Sequence, residues 1–133
     1  MPRTVLLKHT LPDGTWHYDW LIARDGDEDG TGAGPTIAFR VDERIDAPGS
    51  HGEIVVDRLT DHRPLYLTYT GPVSDGRGSV ERLAEGTCRV ILEGSNLVEV
   101  EADFGWGPRV WTCTQVEIDD PARVVRPWRI AAA

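Results

Sequence analysis

The sequence predicts an all-β fold of about eight short strands with little helix, arranged as an antiparallel barrel or sandwich. Three observations carry this expectation. The apolar segments are short and rich in β-branched, aliphatic and aromatic residues. Gly, Pro, Asp and Asn punctuate nearly every gap between them, as in Leu11-Pro12-Asp13-Gly14, Gly71-Pro72, Glu93-Gly94-Ser95-Asn96 and Gly105-Trp106-Gly107-Pro108. Helical periodicity is hard to find anywhere in the chain.

Taken in order, strands are expected at residues 3–9, rich in aliphatic and β-branched side chains, and at 16–24, rich in aromatics. Further strands follow at 36–42, 53–59 and 65–70, then at 79–83, 87–93, 97–102 and 109–118. At most a turn of helix is expected between strands, around Val80 to Ala84. No repeat or linker divides the chain, so residues 1–133 read as a single domain.

Composition narrows the function classes. Hydrophobic residues make up 40% and charged residues 27%, which fits a folded domain and not a disordered tail. No apolar run approaches the length of a membrane span, and Met1-Pro2-Arg3-Thr4 leads into no signal-peptide core, so a cytoplasmic protein without membrane association is expected. Cys88 and Cys113 cannot define a disulfide scaffold and are expected to be reduced and half-buried. The net charge of −8 argues against affinity built on phosphate neutralisation alone. The charge is uneven, however: residues 1–120 hold 11 basic and 22 acidic side chains, whereas the end of the chain carries Arg123, Arg126 and Arg129 and no acid. That end, with Trp128, reads as a solvated terminus packed by one aromatic. The run Asp25-Gly26-Asp27-Glu28-Asp29-Gly30 imitates the start of a calcium loop, but the closing acid would fall on Thr36, so it reads as a solvated hairpin loop.

The candidate chemistry lies in the histidines. Residues two apart on a strand share a face, so His17 and Asp19 project together while Trp16, Tyr18 and Trp20 point the other way. If Thr10 pairs with Trp16 across a five-residue loop, His9 falls directly opposite His17. One hairpin then offers two imidazoles and a carboxylate to a common point, a donor set suited to Mn²⁺, Fe²⁺ or Zn²⁺. In Asp61-His62-Arg63-Pro64-Leu65-Tyr66, His62 and Tyr66 are candidates to act on a phosphate, the imidazolium stabilising an anionic transition state and Tyr66 donating a hydrogen bond. The glycine-rich turn that follows, with Arg77 and free backbone N–H groups, is a candidate anion site. His17, Asp19 and His62 also match the facial-triad pattern of non-haem iron oxygenases, although the short chain leaves little room for a co-substrate.

In sequence order, Lys8-His9, His17-Tyr18-Asp19, Asp61-His62 with Tyr66, Gly71-Pro72 and Glu85-Gly86-Thr87 resemble the 3′-phosphoesterase domain of bacterial ATP-dependent DNA ligase D and its stand-alone relatives. The resemblance spans roughly Val5 to Val90. It implies a compact antiparallel β-barrel of about eight short strands with a manganese site in its mouth, zinc being the other candidate metal. His9, His17 and Asp19 would hold the metal, and His62 and Tyr66 would contact the scissile phosphate. The implied activity is removal of 3′-phosphates and 3′-ribonucleotides from DNA ends, with DNA 3′ ends or a small phosphate ester as ligand and a DNA-repair protein as partner. The chain departs from the pattern at Leu21, where active members carry arginine. It also departs at Glu53-Ile54 and near Glu43, where they carry basic residues. Arg40, Arg44, Arg63 and Arg77 are the candidate replacements. A non-catalytic metal-binding or protein-interaction module on the same barrel is the alternative expectation.

Overall fold

Leu11 to Thr15 form a tight loop in which Asp13 Oδ1 accepts hydrogen bonds from the Thr15 amide and hydroxyl, at 2.9 and 2.6 Å. Gly14 supplies the positive φ of +88° that the turn requires. This loop joins β1 (Arg3–Thr10) to β2 (Trp16–Ile22) in the expected register, with His9 opposite His17 and Thr10 opposite Trp16. The computed structural model describes residues 2–24, 35–47, 53–116 and 126–132. The other strands are β3 (Ile37–Val41), β4 (Glu53–Arg58), β5 (Gly71–Pro72), β6 (Ser79–Glu93), β7 (Leu97–Asp103), β8 (Arg109–Gln115) and β9 (Arg126–Ala132).

All pairings are antiparallel, and the sheet order is β1-β2-β3-β4-β9-β8-β7-β6-β5. A further β1–β6 pairing bends the sheet into a barrel-like ring, with the two-residue β5 appended to β6. The all-β expectation holds. Among the described residues no helix is long and apolar enough to cross a membrane.

Alternation along the strands sends one set of side chains inward. Leu6, Trp20, Phe39, Val56, Val100, Trp111, Trp128 and Ile130 belong to one interior cluster. Trp20 meets Trp111 and Phe39 meets Trp128 edge to face, with centroids 5.6 and 5.7 Å apart. Buried Thr4 is satisfied by a relay: the Trp20 indole donates to its hydroxyl oxygen and the hydroxyl donates to the Leu21 carbonyl, both at 2.8 Å. A second cluster lies on the outer side of the same wall: Val5, Leu7, Leu21, Ala23, Ala38 and Val80, covered by Leu67. The segment between β4 and β6, residues 59–78, therefore forms a partial second layer over β1 and β2.

Three expectations are corrected. Residues 65–70 are not a strand: Pro64–Leu67 form a 3₁₀ turn, with Tyr66 N–H bonded to the Arg63 carbonyl and Thr68 N–H to that of Leu65. Pro64 has no N–H for a ladder and its fixed φ suits the first position of such a turn. The expected strands at 79–83 and 87–93, with a helical turn around Val80 to Ala84, are one 15-residue strand, β6. Register shifts opposite Leu6/Leu7 and between Val90 and Leu92 absorb the irregularity as bulges. Gly86 is no break. An added Cβ there would lie 1.9 Å from the Asp103 carbonyl oxygen, so glycine permits the close approach of β7 to β6. Finally, the arginine-bearing end of the chain is not a solvated terminus, because β9 inserts between β4 and β8 and buries Trp128 to 1% exposure. The Asp25 to Gly30 run, His51 and Arg123 lie outside the described residues.

Cys88 and Cys113 are fully buried, deeper than expected. Burial pushes the Cys113 thiol up to about 12.

Because Trp128 fills the interior between β4 and β8, Trp128→Ala is expected to cost about 3–5 kcal/mol of stability. Urea unfolding followed by circular dichroism measures this; a loss below about 1 kcal/mol, the range of surface substitutions, would contradict the burial.

Candidate metal centre and phosphate cavity

The β1–β2 hairpin places His9, His17 and Asp19 on the outer face of the barrel wall, continuing the row of Leu7, Leu21 and Ala23. The group lies between this wall and the 59–78 segment, whose residues line the same cavity. One donor atom from each of the three residues lies within 4.8 Å of the others. His17 Nε2 is 3.0 Å from Asp19 Oδ1, and His9 Nδ1 is 3.6 Å from Asp19 Oδ2. The imidazole centroids are 5.0 Å apart at 70°. Asp19 is the most enclosed, with its side chain 3% exposed against 10% for His17 and 17% for His9.

Tautomers sharpen the chemistry. His9 Nε2 stands 2.8 Å from the Arg77 carbonyl oxygen, which can only accept. His9 therefore carries a proton on Nε2 and, when neutral, turns the Nδ1 lone pair toward the Asp19 carboxylate. Two acceptors facing each other in a buried site call for positive charge between them. Among the described residues Asp19 Oδ1 has no hydrogen-bond partner despite its closeness to His17, and His17 Nδ1 is likewise buried and unbonded. Donors sharing one ion at about 2.1 Å stand roughly 3.0–3.5 Å apart; the 3.0 and 3.6 Å separations from Asp19 approach this, and the group, spread over as much as 4.8 Å, would draw together on a divalent cation. Three protein donors leave coordination positions for substrate or water. The Arg77 carbonyl orients His9 as outer partners of metal-binding imidazoles commonly do.

A cavity of about 440 Å³ opens beside this group. His9 and Asp19 form one wall, and Asp61, His62, Arg63 and Tyr66 approach from the covering segment. Ser74 and Arg77 close another side, over an apolar floor of Leu7, Val73 and Val80. Four of the five expected site residues thus face one space; His17 lies outside the lining, next to Asp19. His62 is held by a two-way backbone bridge to Thr36, at 2.8 and 2.9 Å. Its Nδ1 lies 2.9 Å from the Thr60 carbonyl and donates to it, which leaves Nε2 for a ligand. Its ring meets Tyr66 edge to face at 6.1 Å, and Tyr66 meets Tyr69 at 6.0 Å. Asp61 does not serve His62; it accepts from Arg24 Nη1 at 3.0 Å.

Leu21 is fully buried beneath Leu67, so the position where the resemblance expects an arginine is packed with hydrocarbon. Of the four candidate replacements, Arg63 and Arg77 line the cavity. Arg44 is held by Asp46 at 2.7 and 2.8 Å, and Arg40 lines a separate cavity with Asp57 and Val55.

Sequence reasoning missed the two ties that fix the covering segment. The first is Gly78, at φ +94°, where an added Cβ would stand 1.9 Å from the Thr10 carbonyl oxygen; only glycine lets this turn sit against the hairpin. The second is Arg24, whose Nε and Nη2 grip Glu93 at 2.8 and 2.6 Å while Nη1 reaches Asp61 and the Pro35 carbonyl. The partners are far apart in sequence, so no local pattern announced them.

Gly78→Ala should lift the turn from β1, release His9 from the Arg77 carbonyl and weaken Mn²⁺ affinity by about tenfold, measured by titration calorimetry. Unchanged affinity would remove the orienting role of that carbonyl. A second expectation concerns acid stability. Arg24 holds the Glu93 carboxyl below the usual carboxylate range, so its folded pKa is lower than its unfolded one. Its contribution is complete above the unfolded value of about 4.3 and is lost as pH falls through the folded value. Glu93→Gln should therefore flatten the fall of the urea midpoint below about pH 4.5; an unaltered acid limb would show that the pair adds nothing.

No protein-family model matches the chain, and comparison with curated proteins gives no significant match.

Proposed function

We propose that the chain is a metal-dependent phosphoesterase resembling the 3′-end-processing domains of DNA ligase D. Its substrate would be a DNA 3′ end or a small phosphate ester. The observation that carries this reading is the convergence of His9, Asp19, His62 and Tyr66 on one cavity, with His17 beside Asp19. His9, His17 and Asp19 would hold the ion, Mn²⁺ by preference and Zn²⁺ as the other candidate. A divalent ion there supplies positive charge beside a phosphoryl oxygen.

The chain's own groups do the rest. Protonated His62 donates from Nε2 to a non-bridging phosphoryl oxygen, since Nδ1 is committed to Thr60. Tyr66, at the edge of His62, offers its hydroxyl from the same side. In the reaction a water oxygen bonds to phosphorus, the ester P–O bond breaks, and the departing oxygen takes up the proton the water loses, giving an alcohol and inorganic phosphate. Leu7, Val73 and Val80 keep the floor apolar, which strengthens each of these contacts. The setting this reading implies is cytoplasmic DNA repair, alongside a repair protein that seals or extends the end.

The burial of Leu21 supports a second reading, a metal-binding or protein-interaction module that does not turn over. The two differ in one assay. With Mn²⁺ and either a 3′-phosphorylated oligonucleotide or a small phosphate monoester, the phosphoesterase reading expects phosphate release that chelation or His17→Ala abolishes. His62→Ala should slow it by about 10²–10³-fold. Mn²⁺ binding without any release that depends on both Mn²⁺ and His17 would establish the non-catalytic module instead.

A further inference from the structure

The described arginines are mostly spent on carboxylates. Arg24 binds Glu93 and Asp61, Arg44 binds Asp46, Arg89 faces Glu101, and Arg129 binds Glu53. Arg63 and Arg77 have no carboxylate partner among the described residues, and both line the cavity beside His9 and Asp19. Arg63 stands over the Tyr66 ring at 5.7 Å. Arg77 donates from Nε and Nη2 to the carbonyl and hydroxyl oxygens of Ser74, at 2.9 and 3.0 Å. These neutral acceptors fix the direction of the guanidinium without cancelling its charge, and Nη1 is left over. Two cations without a carboxylate partner, lining one cavity of a chain with net charge −8 from two sides, mark a site for an anion.

We infer that Arg63 and Arg77 form an anion clamp that holds a terminal phosphate next to His9, His17 and Asp19, replacing the cation that buried Leu21 excludes. The inference rests on the phosphoesterase reading only for the identity of the anion. A monoester phosphate, which carries close to two negative charges at neutral pH, matches two guanidinium groups better than a singly charged diester. Arg77 would couple both halves of the site, since its carbonyl orients His9 while its guanidinium meets the ligand.

The test uses the whole chain freed of metal by chelation, with inorganic phosphate as the probe in titration calorimetry. Arg63→Gln and Arg77→Gln should each weaken phosphate binding by about tenfold. Arg89→Gln, which removes one positive charge away from the cavity, should not. Competition with a nucleoside 3′-monophosphate and with a 3′-phosphorylated oligodeoxynucleotide identifies the source of the phosphate. Tighter binding of the oligonucleotide assigns the clamp to nucleic-acid ends, and equal binding assigns it to small esters. Phosphate binding equally tight in all three variants, or absent from the parent chain, overturns the clamp. Loss in the two cavity variants without Mn²⁺-dependent turnover in the parent keeps the clamp and removes the hydrolytic reading. Turnover whose kcat/KM ignores both substitutions removes the clamp and keeps that reading.

Discussion

The fixed register of the β1–β2 hairpin is the constraint on which the rest of the molecule depends. Strand side chains alternate with a period of two, so a slip of one residue would exchange the two faces of the strand that slips. Slipping β2 would turn Trp20 out of the barrel and carry His17 and Asp19 into the interior cluster, away from His9. The register is held from both ends. The Thr4 relay ties Trp20 to the Leu21 carbonyl at one, and Asp13 and Gly14 set the loop at the other. Both faces of β1 are covered, which is why Val5-Leu6-Leu7 is a continuous apolar run where a half-exposed strand would alternate.

Covering the outer face is what turns a row of polar side chains into a site. The 59–78 segment lays Leu67 over Leu21 and brings His62 and Tyr66 to the cavity where His9 and Asp19 already stand. It is fastened at Thr36, at Arg24 and, through Gly78, against the carbonyl of Thr10. Leu21 belongs to this fastening. An arginine at that position would put a charge where Leu67, Ala38 and Val5 now meet, and burying it unpaired would cost several kcal/mol. The hydrocarbon at this place on β2 and the firm seating of the covering segment are thus one physical fact.

The sequence made the hairpin legible because its information is local: alternation, a turn with Asp and Gly, and residues facing each other across a short loop. The same reasoning placed the three metal-binding candidates correctly with respect to one another. It failed where long-range packing decided the outcome. Residues 65–70 looked like a strand, yet they form a compact turn after Pro64 that drops Leu67 onto the wall. Glu85-Gly86 looked like a break, yet that glycine serves the approach of β7. The arginines of residues 121–133 looked like a solvated end. Arg129 faces outward to Glu53 while Trp128 and Ile130 face inward, so the strand that carries this surface charge also fills the interior.

Net charge is therefore a poor guide to what this surface attracts. Most of the described arginines stand within reach of carboxylates, and those pairs present little field to an approaching ligand. Asp61 lines the cavity but is matched by Arg24. Asp19 is enclosed and faces two imidazoles, one of which shows it an acceptor lone pair when neutral. A cation bound there would remove the last strong negative group from the cavity wall, leaving Arg63, Arg77 and His62 to set the local potential. Metal and anion would then bind in positive linkage, each raising the affinity of the other by the same factor. The acidic remainder of the surface would still oppose a long polyanion, so a ligand must present its charge at one end.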